Sequence, residues 1–194
     1  MKKSKQYDFV KARPRFFGGA LLVGRRKSLR PLSSKDSIHF VLRSQWATGR
    51  DIFLAVKNKK SIERIIKKFA SRFGVKIYHQ AINSNHIHLL LMITNRYFYR
   101  AFIKAVSGLI ASHVMAQQSF KQFLKSRQVL LPGDGGQGFW QFRPFSRVVS
   151  WGRDFKACFK YVEQNVLEAL GVMPYKPRKN YYAKWLKPKI KWMS

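Results

Sequence analysis

Apolar and polar positions change their spacing along the chain, and each spacing predicts an element. "SIHFVLRS" (37–44) is a short run rich in β-branched and aromatic residues, which reads as a strand. "WATGRDIFLAVKN" has no clean period. In "KSIERIIKKFASRF" the residues Ile62, Ile65, Ile66, Phe69 and Phe73 recur at helical spacing. That stretch predicts a helix with Asn58 as its N-cap and Gly74 as its stop. "VKIYHQAINSN" and "HIHLLLMI" read as two strands, joined as a hairpin by the turn formers Asn83, Ser84 and Asn85.

From about Tyr97 to Phe120, the residues Phe98, Phe102, Val106, Leu109, Ile110 and His113 share one stripe and predict a long helix. "LPGDGGQG" (131–138) reads as a loop, and "FWQFRPFSRVVSW" ends in a strand-like piece around 146–149. "RDFKACFKYVEQNVLEALG" predicts a helix that starts near Asp154 and stops at Gly171. Its core stripe is Phe155, Phe159, Val162, Val166 and Leu170. The order is strand, helix, strand, strand, helix, short strand, helix. It predicts an α+β, ferredoxin-like architecture: a mostly antiparallel sheet with helices on one face. A basic arm over 1–35 and a basic, aromatic tail over 172–194 flank the domain at 36–171.

Composition adds a partner. The 194 residues suffice for one domain with a sizeable core, and 46% hydrophobic content marks a globular chain. Against 39 Lys and Arg stand 8 Asp and Glu, a formal net charge of +31. Self-repulsion at that level weakens a compact state unless a polyanion is bound, and nucleic acid is the obvious one. A protein that coats RNA or membranes without doing chemistry fits the charge as well. Cys158 is the only cysteine, which excludes internal disulfides and cysteine-rich zinc sites. No run approaches the roughly 18 apolar residues of a membrane span, so no membrane role is expected. The start of the sequence lacks an apolar signal core. The expected location is the cytoplasm, in association with the nucleoid. The acids are scattered, so a metal site built from carboxylates alone is not expected.

That leaves the histidines. In "NSNHIHLLLMI" His86 and His88 lie two residues apart, so they share one face of a strand. Two imidazoles on one face are either a packing feature or half of a metal site. On the last helix Tyr161 falls about 140° from the centre of the apolar stripe, with Asn165 one turn later on the same side. Asp154 and Cys158 share that flank. A tyrosine hydroxyl can attack a phosphodiester when a metal polarises the phosphate. By pattern alone, the Tyr161–Asn165 pair fits a surface pair or an active-site pair.

"NHIHLLL", a long helix, "FWQFRPFSRVV" and "YVEQNVLEALG" occur in that order. Together they resemble the REP-associated tyrosine transposases, which belong to the single-tyrosine HUH endonucleases. The resemblance covers roughly Ser37 to Gly171. It implies a ferredoxin-like core, His86 and His88 as metal ligands for Mg²⁺ or Mn²⁺, and Tyr161 as nucleophile. Asn165 matches the amide that completes the metal site, with Gln164 as the alternative. The usual Asn-Pro is Asn165–Val166 here, so the helix can run on to Gly171. The implied activity is metal-dependent cleavage and strand transfer of single-stranded DNA at or near hairpin repeats, through a 5′-phosphotyrosine. A catalytically inactive or domesticated DNA-repeat-binding protein of the same fold is the alternative, and a general RNA-binding protein a third.

For DNA contact the sequence offers the arm cations, among them Arg13, Arg15, Arg25, Arg26, Lys27 and Arg30. Arg143 and Arg147 lie in the aromatic block, and Lys176, Arg178 and Lys179 in the tail. The tail aromatics Tyr175, Tyr181, Tyr182, Trp185 and Trp192 either stack on unpaired bases or pack back on the domain. His39, His79 and His113 are expected to be structural or DNA-facing, and Cys158 a small, partly buried side chain. Asp154 is either a helix cap or a neighbour of Tyr161. Monomer and homodimer both remain open.

Overall fold

The computed structural model describes residues 15–22, 29–126 and 138–176. Its strands are β1 (Phe16–Phe17), β2 (Ser37–Arg43), β3 (Val75–Ile82), β4 (His86–Ile93) and β5 (Phe145–Val149). Its α-helices are α1 (Val56–Arg72), α2 (Arg96–Met115), α3 (Gln118–Ser126) and α4 (Arg153–Ala169). The sheet order is β1-β5-β2-β4-β3, and every pairing is antiparallel. The unit β2-α1-β3 straddles β4, and β4-α2-β5 straddles β2. This is the ferredoxin-like arrangement that the order of elements predicts. The two-residue β1, from the basic arm, extends the sheet beyond β5.

Strand alternation divides the residues between two faces. Ile38, Phe40 and Leu42 of β2 and Ile87, Leu89, Leu91 and Ile93 of β4 join Ile62, Ile66, Phe102, Val106 and Ile110 in the main core. The opposite face carries Leu90 and Val149, which pack with Cys158 of α4. The helices therefore lie on both faces, not on one. The physical reason is in β4 itself: Leu89 and Leu90 point to opposite faces and are both fully buried. A continuous apolar run is the mark of a strand covered on both sides.

Other boundaries move for local reasons. Asn58 is not the N-cap of α1; Ala55 is. The Asn58 side chain lies inside the helix and donates to the carbonyls of Asp51 (3.3 Å) and Ile52 (3.0 Å), fixing the loop before it. The long helix predicted over 97–120 is two helices. The Gln117 amide donates to the His113 carbonyl (3.0 Å) and closes α2. The chain then re-enters the core through Phe120 and Leu124 of α3. Phe98 and Leu109, expected on the buried stripe, are each 42% exposed. Gly74 and Gly171, with φ of 60° and 72°, follow α1 and α4 as left-handed stops. A bulge in β3 between Ile77 and His79 turns both Tyr78 and His79 toward α4. Among the described residues, no helix is long and apolar enough to cross a membrane.

Candidate active site

The hairpin between β3 and β4 is fixed before any side chain is considered. Asn83 N–H donates to the His86 carbonyl (2.9 Å), closing the turn. Ser44 N–H donates to Asn85 O (2.9 Å) and Phe53 N–H to Ser84 O (2.8 Å), which bolts the turn to the loop after β2. His86 and His88 then project from β4 onto the α4 face. In the antiparallel register Val41 opposes His88 and His39 opposes Leu90. His39 is thus the diagonal neighbour of His88 on that face.

The rings meet closely. His39 Nε2 and His88 Nδ1 are 3.0 Å apart. The His86 and His88 ring centres are 4.9 Å apart at 79°. Tyr161 of α4 stands edge-on over His39 (5.6 Å, 77°) and His88 (5.5 Å, 78°). His86 Nδ1 faces Asn85 Oδ1 (2.9 Å), so Nδ1 carries the proton and donates. His86 Nε2 then accepts from the Asn83 amide (2.6 Å). Asn83 Nδ2 also donates to Asn165 Oδ1 (3.5 Å), and Asn165 Nδ2 donates to the Tyr161 carbonyl (2.6 Å). Burial lowers the His39 pKa to about 3; Arg147 adds to the effect and Asp154 opposes it. His39 is therefore a neutral imidazole.

On α4 the structure brings Tyr161 and Asn165 to the histidines and leaves Gln164 aside. Asn165 is 3% exposed, whereas the Gln164 amide is turned along the helix to Glu168 Oε1 (2.9 Å). The buried residues of α4 are Cys158, Val162 and Asn165. The flank that the apolar stripe leaves outside, with Cys158 and Asn165, faces the sheet together with Phe155, Phe159 and Val162 of the stripe, whereas Leu170, expected in the stripe, is 56% exposed. Asp154 does not cap α4, whose N-cap is Gly152. Its carboxylate accepts from Arg147 (2.8 Å) and from Ser150 N–H (3.2 Å), clamping α4 to the end of β5. Burial raises the Cys158 pKa to about 11, which keeps it a thiol.

The cations fare differently. Arg15 donates to Ser150 Oγ (2.6 Å) and pairs with Asp36 (3.5 Å). Arg30 is turned inward: it donates to Ser146 Oγ (2.6 Å) and Pro144 O (2.9 Å), and lies 4.3 Å over the Phe17 ring. Arg143 and Lys176 are exposed, and Arg147 is held by Asp154. Arg13, Arg25, Arg26, Lys27, Arg178 and Lys179 lie outside the described residues, as do the tail aromatics beyond Tyr175. His79 stacks on Phe159 (4.6 Å, 12°).

Two residues of this cluster escaped the sequence. Asn83 was legible as a turn former, yet its place three before His86 is what aims its amide at that ring. His39 looked like a strand residue among others, because its link to His88 exists only in the register of β2 against β4. Among the described residues, no three His, Cys, Asp or Glu side chains are grouped to hold a metal. The donor chemistry fits a cation: two imidazoles flank the amides, and buried Asn83 Oδ1 has no hydrogen-bond partner among the described residues.

The model of the IS200-like transposase family matches residues 33–165. Among solved structures, a Deinococcus radiodurans R1 protein classed as a transposase is 16% identical, over 72% of this chain and 98% of that one, with a TM-score of 0.41. A REP-associated tyrosine transposase bound to a REP hairpin is 12% identical, over 84% of this chain and 88% of that one, with a TM-score of 0.49. No curated protein sequence matches the chain.

Proposed function

The chain belongs to the IS200-like transposase family, and on that premise we propose that it cleaves and rejoins single-stranded DNA with Tyr161 as nucleophile. The observation that carries this reading is the meeting of Tyr161 with His39 and His88 on the one sheet face that also holds His86 and Asn165. A tyrosine on a helix and two histidines on a strand some 70 residues earlier thus share one patch of polar side chains.

His86, His88 and the Asn165 amide oxygen are the proposed holders of one Mg²⁺ or Mn²⁺. When bound there, the ion would draw charge from a non-bridging oxygen of the scissile phosphate. The Tyr161 hydroxyl attacks phosphorus in line: its oxygen forms the new P–O bond, and its proton leaves. The bond from phosphorus to the 3′ oxygen breaks, and that oxygen takes up a proton as a free 3′-OH. The strand's 5′ phosphate stays on Tyr161 as a phosphodiester, so the same hydroxyl, or one from another strand, can reverse the step without an added energy source. Asn165 serves Tyr161 through the backbone, since its amide holds the Tyr161 carbonyl. Asp154 is committed to Arg147 and Ser150 and is not assigned as a base. Exposed cations such as Arg143 and Lys176 would follow the DNA backbone. The preference for hairpin repeats rests on the three ordered sequence blocks.

The test is direct. The protein is incubated with single-stranded hairpin DNA and Mn²⁺ or Mg²⁺, and a denaturation-resistant adduct is sought and mapped. The wild type should yield an adduct on Tyr161, and Tyr161→Phe should yield none. An adduct that survives in Tyr161→Phe would remove Tyr161 from its role. Tight hairpin binding with no adduct under either metal would favour a binding protein of the same fold, and a preference for RNA would favour the RNA-binding alternative.

A further inference from the structure

His39 lies on β2 and reaches His88 on the neighbouring strand. Their nitrogens are 3.0 Å apart, their ring planes agree within 7°, and their ring centres are 5.3 Å apart. The excess of the centre separation over the nitrogen separation is about the width of one ring. The two imidazoles therefore lie side by side in one plane, joined through an in-plane N–H···N bond; they are not piled face to face. Tyr161 meets both rings at nearly the same angle, 77° and 78°, and nearly the same distance, 5.6 Å and 5.5 Å. His39 and His88 thus form one flat surface on which the Tyr161 ring stands. Phe145 closes off His39 edge-on at 6.1 Å.

We infer that His39 is a positioning residue: its Nε2 accepts the Nδ1–H of His88, which fixes His88 in the tautomer that keeps a lone pair on Nε2, and its ring completes the surface that orients Tyr161. The inference rests on the proposed function, because only a metal-donating His88 needs that tautomer. In a bond between two neutral imidazoles one ring donates and the other accepts. If His39 were the donor, His88 would carry its proton on Nε2 and have no lone pair there for a metal. His86 is set in the matching tautomer by other partners, Asn85 Oδ1 at Nδ1 and Asn83 at Nε2. Each histidine of the pair would then owe its tautomer to a separate neighbour, as metal-binding histidines generally do.

The experiment reads the tautomers in the metal-free protein by two-bond ¹⁵N–¹H correlation spectra, with Mn²⁺ affinity measured by calorimetry. In the wild type, His88 should be the Nδ1–H tautomer. His39→Phe keeps a flat ring and removes the acceptor; His88 should lose that preference, and Mn²⁺ affinity should fall about 10- to 100-fold. His39→Gln offers an amide oxygen near the place of Nε2 and should recover most of both losses. Circular dichroism checks that each variant is folded; if His39→Phe is not, the wild-type tautomer and His39→Gln decide. A His88 protonated on Nε2 in the wild type overturns the inference, as does a folded His39→Phe with unchanged tautomer and affinity. Failure of the functional reading looks different: the wild type would form no adduct on Tyr161 although His88 is the Nδ1–H tautomer.

Discussion

His39 is deep enough in the protein to make stability depend on pH. Its folded pKa of about 3 lies below the ordinary imidazole value of 6.5, so below pH 6.5 the unfolded chain binds a proton that the native state refuses. Stability is therefore fully present above about pH 6.5 and falls as pH drops toward 3, by up to about 1.4 kcal/mol per pH unit for one such group. His113, also shifted down by burial, acts in the same direction. Urea unfolding between pH 4.5 and 7.5 should show this slope, and His39→Gln should flatten it; an unchanged slope would mean that His39 is readily protonated in the folded state. Asn165 allows a second comparison at this scale. Asn165→Ala should weaken Mn²⁺ binding about tenfold or more, while Gln164→Ala, whose amide is turned to Glu168, should leave it nearly unchanged. Equal losses in calorimetry would remove the distinction between the two amides. His86, His88 and Tyr161 could be picked out as candidates in the sequence because spacing and residue type are local properties. Asn83 and His39 could not, because their parts depend on a turn geometry and a strand register.

At the scale of elements, α4 shows how an apolar stripe can be right about a helix and too narrow about its buried face. The bounds were legible: without a proline after Asn165 the helix runs to Ala169, and Gly171 follows it. The stripe from Phe155 to Leu170 placed Tyr161 and Asn165 outside the contact. A stripe of apolar residues locates a purely apolar interface, whereas α4 lies across a face that carries His39, His88 and Arg147 beside Leu90 and Val149. Its buried side is accordingly mixed, with Cys158 and Val162 next to Asn165. Val162 is fully buried and Leu170 is 56% exposed. Val162→Ala should cost about 1–3 kcal/mol, and Leu170→Ala no more than about 0.5 kcal/mol. The urea midpoints of the two variants check this directly. A Leu170 variant as damaging as the Val162 one would mean that the apolar stripe stays buried to its C-terminal end.

For the whole molecule, the excess of positive charge was plain in composition, while its placement needed the fold. On α1, Lys57, Lys60, Arg64, Lys67, Lys68 and Arg72 are all exposed, opposite the side that buries Ile62 and Ile66. Arg64 has Lys60 one turn before it and Lys68 one turn after, and like charges at that spacing destabilise a helix by roughly 0.2–0.5 kcal/mol per pair. Reversing the central charge turns both repulsions into attractions. Arg64→Glu should therefore raise the stability of the free protein at low salt by about 0.8–2 kcal/mol. The gain should shrink toward zero near 1 M salt, where the screening length is about 3 Å. The wild type should itself gain stability between low and moderate salt, because screening weakens the self-repulsion of a net charge of +31. Thermal unfolding of both proteins across a salt series separates this account from a specific contact of Arg64. A variant less stable than the wild type at low salt, or a difference that ignores salt, would mean that the arginine is held by packing. The predicted outcome instead makes the free protein the strained partner, with charge held in excess that a nucleic-acid backbone would neutralise on binding.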